Sequence, residues 1–351
     1  MSEHPPPGWV PPGPVPPRWV PSGPPGAPWV GPVHKPGVVA LRPLTLGDLF
    51  DGAFRTIRLN PKAMVRLAAA VTTAFMVVPT LLTVALAATG DLTFDLFGEM
   101  SGTVGELSTS LGSGAVSVVS NLGYLFGFLA TVVLNGMLVH VVAEAVLGRR
   151  TGIAATWAVT RGRLLRLLGL TLLNLLVVVL LIGVPVGLGV LAGSGLGVGP
   201  GFAVGVPLVL AGVALLVFVQ VRFFQLAAPA LVLERLGVVA SMRRAGALSR
   251  AQFWRLLGIA VLTSLVVGVV SQVVAIPLAI VGVVGGALFP GTGGALALVF
   301  SSYLSQIVVG AVTTPFTSAV VALQYVDQRI RKEGLDVQLI AASQQHPADP
   351  R

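Results

Sequence analysis

The sequence predicts an all-α, polytopic membrane protein whose six transmembrane helices form three hairpins, and three observations predict it. Only 10% of the 351 residues are charged and 54% are hydrophobic, whereas soluble domains carry roughly 25% charged residues. So few charges cannot cover a water-facing surface, so lipid must be the solvent for most of it. Six apolar runs reach the ~20 residues needed to cross a bilayer, and basic residues occupy every second connection between them.

Residues 1–40 come first and are rich in Pro and Gly, with Trp-Val pairs at Trp9, Trp19 and Trp29. Such a stretch has no means of building a core and is expected to be extended, with polyproline II character, in the cytoplasm. It lacks the basic start and apolar centre of a signal peptide. A protein partner that recognises proline-rich segments is one reading of this tail, and a plain solvated tail is the other.

A short surface helix is expected over 45–58. Thr45 stands as cap with Asp48 three residues on. Leu46, Leu49, Phe50, Ala53, Phe54 and Ile57 fall on one helical stripe. Charged Asp48, Asp51, Arg55 and Arg58 lie opposite, which suits a helix in the headgroup layer. The spans follow at about 64–88, 115–147, 164–192, 202–230, 256–284 and 295–325, which makes 41–326 the membrane domain and 327–351 a cytoplasmic tail. Pro185, Pro207, Pro229, Pro277 and Pro315 predict kinks or interfacial ends.

Charge sets the predicted orientation. The loop after the first span carries Asp91, Asp95, Glu99 and Glu106 and no basic residue; the turns 193–201 and 285–294 carry no charge. The remaining connections hold Arg42, Arg55, Arg58, Lys62 and Arg66, then Arg149, Arg150, Arg161, Arg163 and Arg166. Arg235, Arg243, Arg244, Arg250 and Arg255 come next, and Arg329, Arg331 and Lys332 follow the last span. Basic segments stay inside. Both termini are therefore expected in the cytoplasm, with the chain in the cytoplasmic membrane.

The net charge of +9 is thus a topology signal rather than a nucleic-acid footprint. The same arginines, Arg149, Arg150, Arg161, Arg163, Arg166, Arg243, Arg244, Arg250 and Arg255, are candidate contacts for anionic lipid headgroups, at ~1 kcal/mol each. There are no cysteines, which removes disulfides, thiolate chemistry and Cys-based metal sites. No Walker loop, HExxH, GxSxG or EF-hand pattern occurs. No metal, cofactor or catalytic residue is expected.

The basic connections also resemble one another. Arg161-Gly-Arg-Leu-Leu-Arg-Leu-Leu-Gly169 aligns with Arg250-Ala-Gln-Phe-Trp-Arg-Leu-Leu-Gly258, and Asn60-Pro-Lys-Ala-Met-Val-Arg66 is a weaker copy. The predicted unit is a surface helix followed by a hairpin of two spans, used three times in parallel. Parallel repeats occur in transporters but do not assign transport.

Three segments carry a family resemblance: Arg42-Pro-Leu-Thr-Leu-Gly-Asp-Leu-Phe-Asp-Gly-Ala-Phe-Arg55, Ala228-Pro-Ala-Leu-Val-Leu-Glu-Arg-Leu-Gly237 and Tyr325-Val-Asp-Gln-Arg-Ile-Arg-Lys-Glu-Gly-Leu-Asp336. Together they resemble the membrane domain of bacterial glycerophosphoryl diester phosphodiesterases. The resemblance implies a membrane architecture. It does not imply the phosphodiester chemistry, which belongs to a soluble (β/α)₈ barrel of ~250 residues with paired His and a carboxylate cluster. The four histidines here are His4, His34, His140 and His346, and no aqueous stretch is long enough for that barrel.

Ionisable groups within spans default to a functional hypothesis. Arg222, flanked by Gln220 and Gln225, lies in the fourth span; Glu144 follows His140 by four residues in the second. The sequence leaves two arrangements open: Arg222 and Glu144 meet as an ion pair that clasps the two helices, or they line a polar site. Asn135, Asn174, Ser271, Gln272, Ser305, Gln306, Thr313 and Thr314 are expected to bond between helices or line a cavity. Two functions stand: a non-enzymatic scaffold or lipid-interacting component, and a transporter of a small amphiphilic or anionic solute. A polar cavity reaching the midplane would favour the second over a solid apolar bundle.

Overall fold

The computed structural model describes residues 38–39, 42–89, 114–289 and 291–334. Most of the 1–40 tail, the acidic loop around 91–106 and the C-terminal residues beyond 334 lie outside the described residues. Among those described there is no strand, and six helices are long and apolar enough to cross a membrane.

Helix α1, Leu46–Leu59, starts at the expected capping box: Thr45 accepts from the Asp48 amide and Asp48 accepts from the Thr45 amide. Leu49 and Ala53 of its apolar stripe are buried, and Phe50 and Phe54 lie 5.7 and 5.0 Å from the Phe316 ring. Val38 and Val39, read from the sequence as tail, are buried instead. The Val38 amide donates to Ala145 O at 3.2 Å.

The spans follow as apolar helices, several interrupted by a π turn, where one extra residue per turn loosens the backbone ladder. A π turn at Lys62–Arg66 leads into α2, Leu67–Thr89, and α3 is Gly114–Val146. The short α4, Ile153–Thr160, precedes α5, Leu164–Val178, which passes through a π turn at Val179–Gly183 into α6, Val184–Leu196. Helix α7, Val198–Val219, meets a π turn at Gln220–Phe224 and then α8, Ala227–Leu233. Helix α9 is Val238–Ser249, α10 is Phe253–Leu288 and α11 is Thr292–Glu333.

Consecutive spans pack against each other: α2 on α3, α6 on α7, α10 on α11. Helix α11 also touches α1, α2 and α3. The α6–α7 contact is made by glycines. A Cβ on Gly205 would lie 3.0 Å from Gly189 Cα, and one on Gly212 would lie 2.0 Å from Leu181 O. Small residues let membrane helices approach this closely without a hydrophobic driving force. Elsewhere α6 and α7 present apolar side chains outward, Leu191 and Leu210 being 68% and 64% exposed, as expected of a lipid-facing surface. The main core lies at the arginine-rich end, where α1, α3, α8 and the last turns of α11 converge.

The last helix departs from the sequence reading. It does not stop at 325 but runs on to Glu333, capped by Gly334 in the left-handed region at φ 60°. Residues assigned to a solvated tail are part of it: Asp327 and Gln328 are 1% and 0% exposed. Ion pairs to Arg244 and Arg255 on neighbouring helices, and Arg331–Asp327 within α11, accommodate the charge that the longer helix carries.

Candidate functional site

The Arg222–Glu144 ion pair does not form. Arg222 sits in the π turn Gln220–Phe224, and its guanidinium donates to Gly246 O and, at 3.0 Å, to Ser249 Oγ. The Ser249 hydroxyl donates back to Arg222 O at 2.8 Å. Gly246 and Ser249 lie in the last turn of α9, whose carbonyls lack helical partners and carry negative partial charge, so Arg222 serves as a cationic C-cap. Lys332 adds a second contact there, to Ala247 O at 2.8 Å. Glu144 turns instead to Arg149, five residues on, at 3.8 Å. Glu144 finds its partner five residues along its own chain segment, whereas Arg222 is drawn 24 to 27 residues away to the partner-poor carbonyl end of α9.

Two further clusters fasten the arginine-rich end. Asp327 accepts from the Leu44 amide at 2.8 Å and from Arg331 at 2.9 Å, and it pairs with Arg255. Both arginines also donate to Leu44 O, at 2.6 and 2.9 Å. One buried carboxylate thus joins the approach to α1, the start of α10 and the end of α11. In the second cluster Glu234 receives a two-pronged bond from Arg244 at 2.9 Å and a hydroxyl proton from Tyr325. Arg244 reaches on to Glu333 at 2.6 Å, and Arg329 bridges Glu333 and Glu234 at 3.0 and 3.7 Å. Burial raises the Glu234 carboxyl, but the bonds from Arg244 and Tyr325 and the charges of Arg244 and Arg329 outweigh it and leave it below the ordinary glutamate value. Burial likewise disfavours the Arg244 cation; Glu234 and Glu333 reverse the sign and hold it protonated.

These contacts revise the candidate lipid arginines. Arg244 and Arg255 are spent on carboxylates, Arg149 faces Glu144, and Arg163 donates to Val232 O at 2.8 Å. Arg166 reaches Arg235 O at 3.4 Å and is otherwise exposed. Arg150, Arg161, Arg243 and Arg250 are exposed and form no ion pair with a described residue. They form the cationic surface that remains.

Between the helices lies a cavity of about 490 Å³, within the ~300–1,000 Å³ of small-molecule sites. Residues of α3, α5, α10, α11 and the π turn after α7 line it. Along each helix the lining starts several residues from the arginine-rich end: it covers Leu167–Asn174 on α5 and Ala260–Val267 on α10. At 1.5 Å per residue Asn174 lies ~15 Å from Leu164. The wall mixes apolar groups such as Phe128, Leu170 and Phe224 with amides and hydroxyls, and among the described residues no ionisable side chain takes part.

The polar wall is arranged in pairs across helices. Gln220 Nε2 donates to Asn174 Oδ1 at 2.6 Å, Gln225 Nε2 to Gln324 Oε1 at 2.7 Å, and Ser318 Oγ to Asn135 Oδ1 at 2.6 Å. Four lining hydroxyls, Thr131, Thr171, Thr263 and Thr317, donate to the carbonyl one turn back in their own helices. That leaves each oxygen free to accept.

The chain matches no known protein family, no curated protein and no solved structure.

Of the predicted intramembrane set, Gln220 and Gln225 line the cavity; Arg222, Glu144 and His140 do not. Asn135 and Asn174 do both things expected of such residues, bonding between helices and lining the cavity. Ser271, Gln272, Ser305, Gln306, Thr313 and Thr314 are absent from its wall. Sequence reasoning missed Gln324, Ser318, Thr263 and Ser264 as lining residues, and Asp327 and Glu234 as the pivots of the ion clusters. Asp327 had a signal available: it is an acid within an otherwise basic run. Among the described residues no group of three or more His, Asp or Glu is placed to hold a metal ion.

Proposed function

We propose that this protein is a non-enzymatic component of the cytoplasmic membrane that takes a small amphiphile into the cavity between its helices. The observation that carries this reading is the cavity's wall, which pairs apolar surface with amides and hydroxyls. An amphiphile meets both requirements at once, and a purely apolar lipid chain would strand the polar half. The arginine-rich end faces the cytoplasm in this reading. Arg150, Arg161, Arg243 and Arg250 attract anionic headgroups there without entering the cavity. The three basic connections and the pairing of consecutive spans favour three parallel hairpins, with α1 lying in the headgroup layer. Membership of the family that residues 42–55, 228–237 and 325–336 resemble is supported by that resemblance alone.

Transport of the amphiphile is the second reading, and one observation favours it. The cavity is bordered by the π turn Gln220–Phe224, and such turns mark places where a helix changes shape at functional sites. With a hydrocarbon core of ~30 Å, a cavity reaching ~15 Å inward from the arginine-rich end arrives at the midplane.

Mass spectrometry of gently extracted protein tests the first reading. Ala260 lines the cavity, and Ala260→Trp fills it while leaving the amide pairs intact. A co-purifying amphiphile should be present with the wild type and depleted in the variant; identical spectra from the two proteins would remove the proposal. Reconstitution with amphiphile loaded on one side distinguishes transport from binding.

A further inference from the structure

The cavity's unspent hydrogen-bonding groups identify a narrower class of ligand, on the premise that the cavity binds an amphiphile at all. Gln225 and Gln324 bond to each other at 2.7 Å, yet Gln225 Oε1 and Gln324 Nε2 find no partner. Gln324 is 1% exposed, so water at the protein surface does not satisfy it. Exchanging nitrogen and oxygen in both amides preserves the pair bond and again leaves one donor and one acceptor over. The count is therefore independent of how the amides are oriented. Buried amide atoms left unbonded are costly, and the two together ask for a group that both accepts and donates.

Charge narrows the class further. Among the described residues no ionisable side chain lines the cavity. The intramembrane cation, Arg222, is committed to the end of α9. An anionic headgroup drawn into this wall would lose its hydration with no cation to replace it. The threonine hydroxyls donate to their own helices and keep acceptor capacity only, so they favour a ligand that brings O–H groups of its own.

We infer that the cavity binds an uncharged amphiphile whose headgroup carries hydroxyls, seated on the Gln225–Gln324 amide pair, and excludes the phosphate-bearing counterpart. A hydroxyl accepts from the spare Nε2–H and donates to the spare Oε1, while the apolar wall takes the first part of the chain. Both residues line the cavity but their spare atoms are covered, so seating such a ligand requires the two amides to rotate toward it.

The test uses the full chain in phosphatidylcholine nanodiscs, titrated below micellar concentration with octyl glucoside, octyl phosphate and free glucose, each read by saturable shift of the thermal transition. Octyl glucoside should stabilise the wild type, octyl phosphate should not at equal concentration, and free glucose should be weaker for want of the chain. The double variant Gln225→Leu with Gln324→Leu removes both amides together and should weaken octyl glucoside about tenfold, the effect of one or two hydrogen bonds. Ala260→Trp should abolish it. Octyl phosphate binding as tightly as octyl glucoside, or a double variant that binds unchanged, would overturn the inference while leaving amphiphile binding intact. Should the double variant fail to fold, the glucoside-to-phosphate ratio on wild type decides alone. No shift with either octyl compound would take down the amphiphile reading itself, and glucose matching octyl glucoside would reassign the site to a free polyol.

Discussion

Asp327 shows what a single buried charge does in a chain with few charges. Its side chain is 1% exposed, while its partners Arg255 and Arg331 are 28% and 25% exposed. The carboxylate is dry, but the guanidinium groups retain water, so the cluster avoids the full desolvation cost of a buried pair. Asp327→Asn keeps the shape and the acceptor for the Leu44 amide and removes the charge, leaving two arginines converging on Leu44 O. Loss of about 2–4 kcal/mol is expected, toward the lower side for a buried pair because the arginines are partly wet; the thermal transition in detergent measures it. Glu234 gives a pH signature. Its folded value lies below the ordinary one, so its stabilisation is fully present above the unfolded value of ~4.3. It is lost as pH falls through the folded value, since the unfolded chain then binds the proton first. Wild type and Glu234→Gln should therefore differ in thermal stability by a constant amount from pH 8 to pH 5, and the gap should close as pH falls past the unfolded value and on through the lower folded one. A gap that persists into acid would mean that packing, not charge, is what Glu234 supplies.

Helices were legible from the sequence wherever one rule dominated. Bilayer length and apolar composition mark the spans, and the Thr45–Asp48 box marks the start of α1. The end of α11 was not legible, because Asp327, Arg329 and Lys332 look like a solvated run until Arg255, Glu234 and the Ala247 carbonyl are known to meet them. That meeting depends on which helices are neighbours, which no local pattern records. Cavity residues divide the same way: Asn174 and Gln220 stand out as polar residues in apolar runs, but Thr263 and Thr317 are ordinary threonines until α10 and α11 face the same space. Glycines separate by neighbour too. Gly187 and Gly212 look alike in sequence, yet a Cβ on Gly212 meets Leu181 O at 2.0 Å and one on Gly187 meets nothing within 4 Å. Gly212→Ala should push α7 off the π turn at Val179–Gly183 and destabilise by about 1–3 kcal/mol, as overpacking does, while Gly187→Ala should be tolerated. Equal effects from the two, read as thermal stability in one detergent, would show that the contact is not what holds this pair.

At the scale of the whole molecule, fastening and cavity sit at the same end. The ion clusters bind the approach to α1, helices α8 and α9, the start of α10 and the end of α11. The cavity opens a few turns further along, beyond Leu164 and Phe253. The opposite end lacks any such clasp in α6 and α7, where glycine contacts and lipid-facing side chains suffice. A bundle tied at one end and held by weak contacts at the other opens more readily at the untied end. Which end faces the cytoplasm therefore matters for any amphiphile that passes through, and the eighteen Lys and Arg counted across the basic connections predict that the arginine-rich end faces inside. The absence of cysteine makes the assignment directly measurable, since an introduced thiol has no background. Gly162, beside Arg161 and Arg163, and Gly199, in the uncharged turn, are both exposed with nothing within 4 Å of an added Cβ. In intact cells a membrane-impermeant maleimide should modify Gly199→Cys and spare Gly162→Cys, and permeabilised cells should expose both. Labelling of Gly162→Cys from outside would invert the topology, place the arginines against the wrong leaflet and move the cavity mouth to the other side of the membrane.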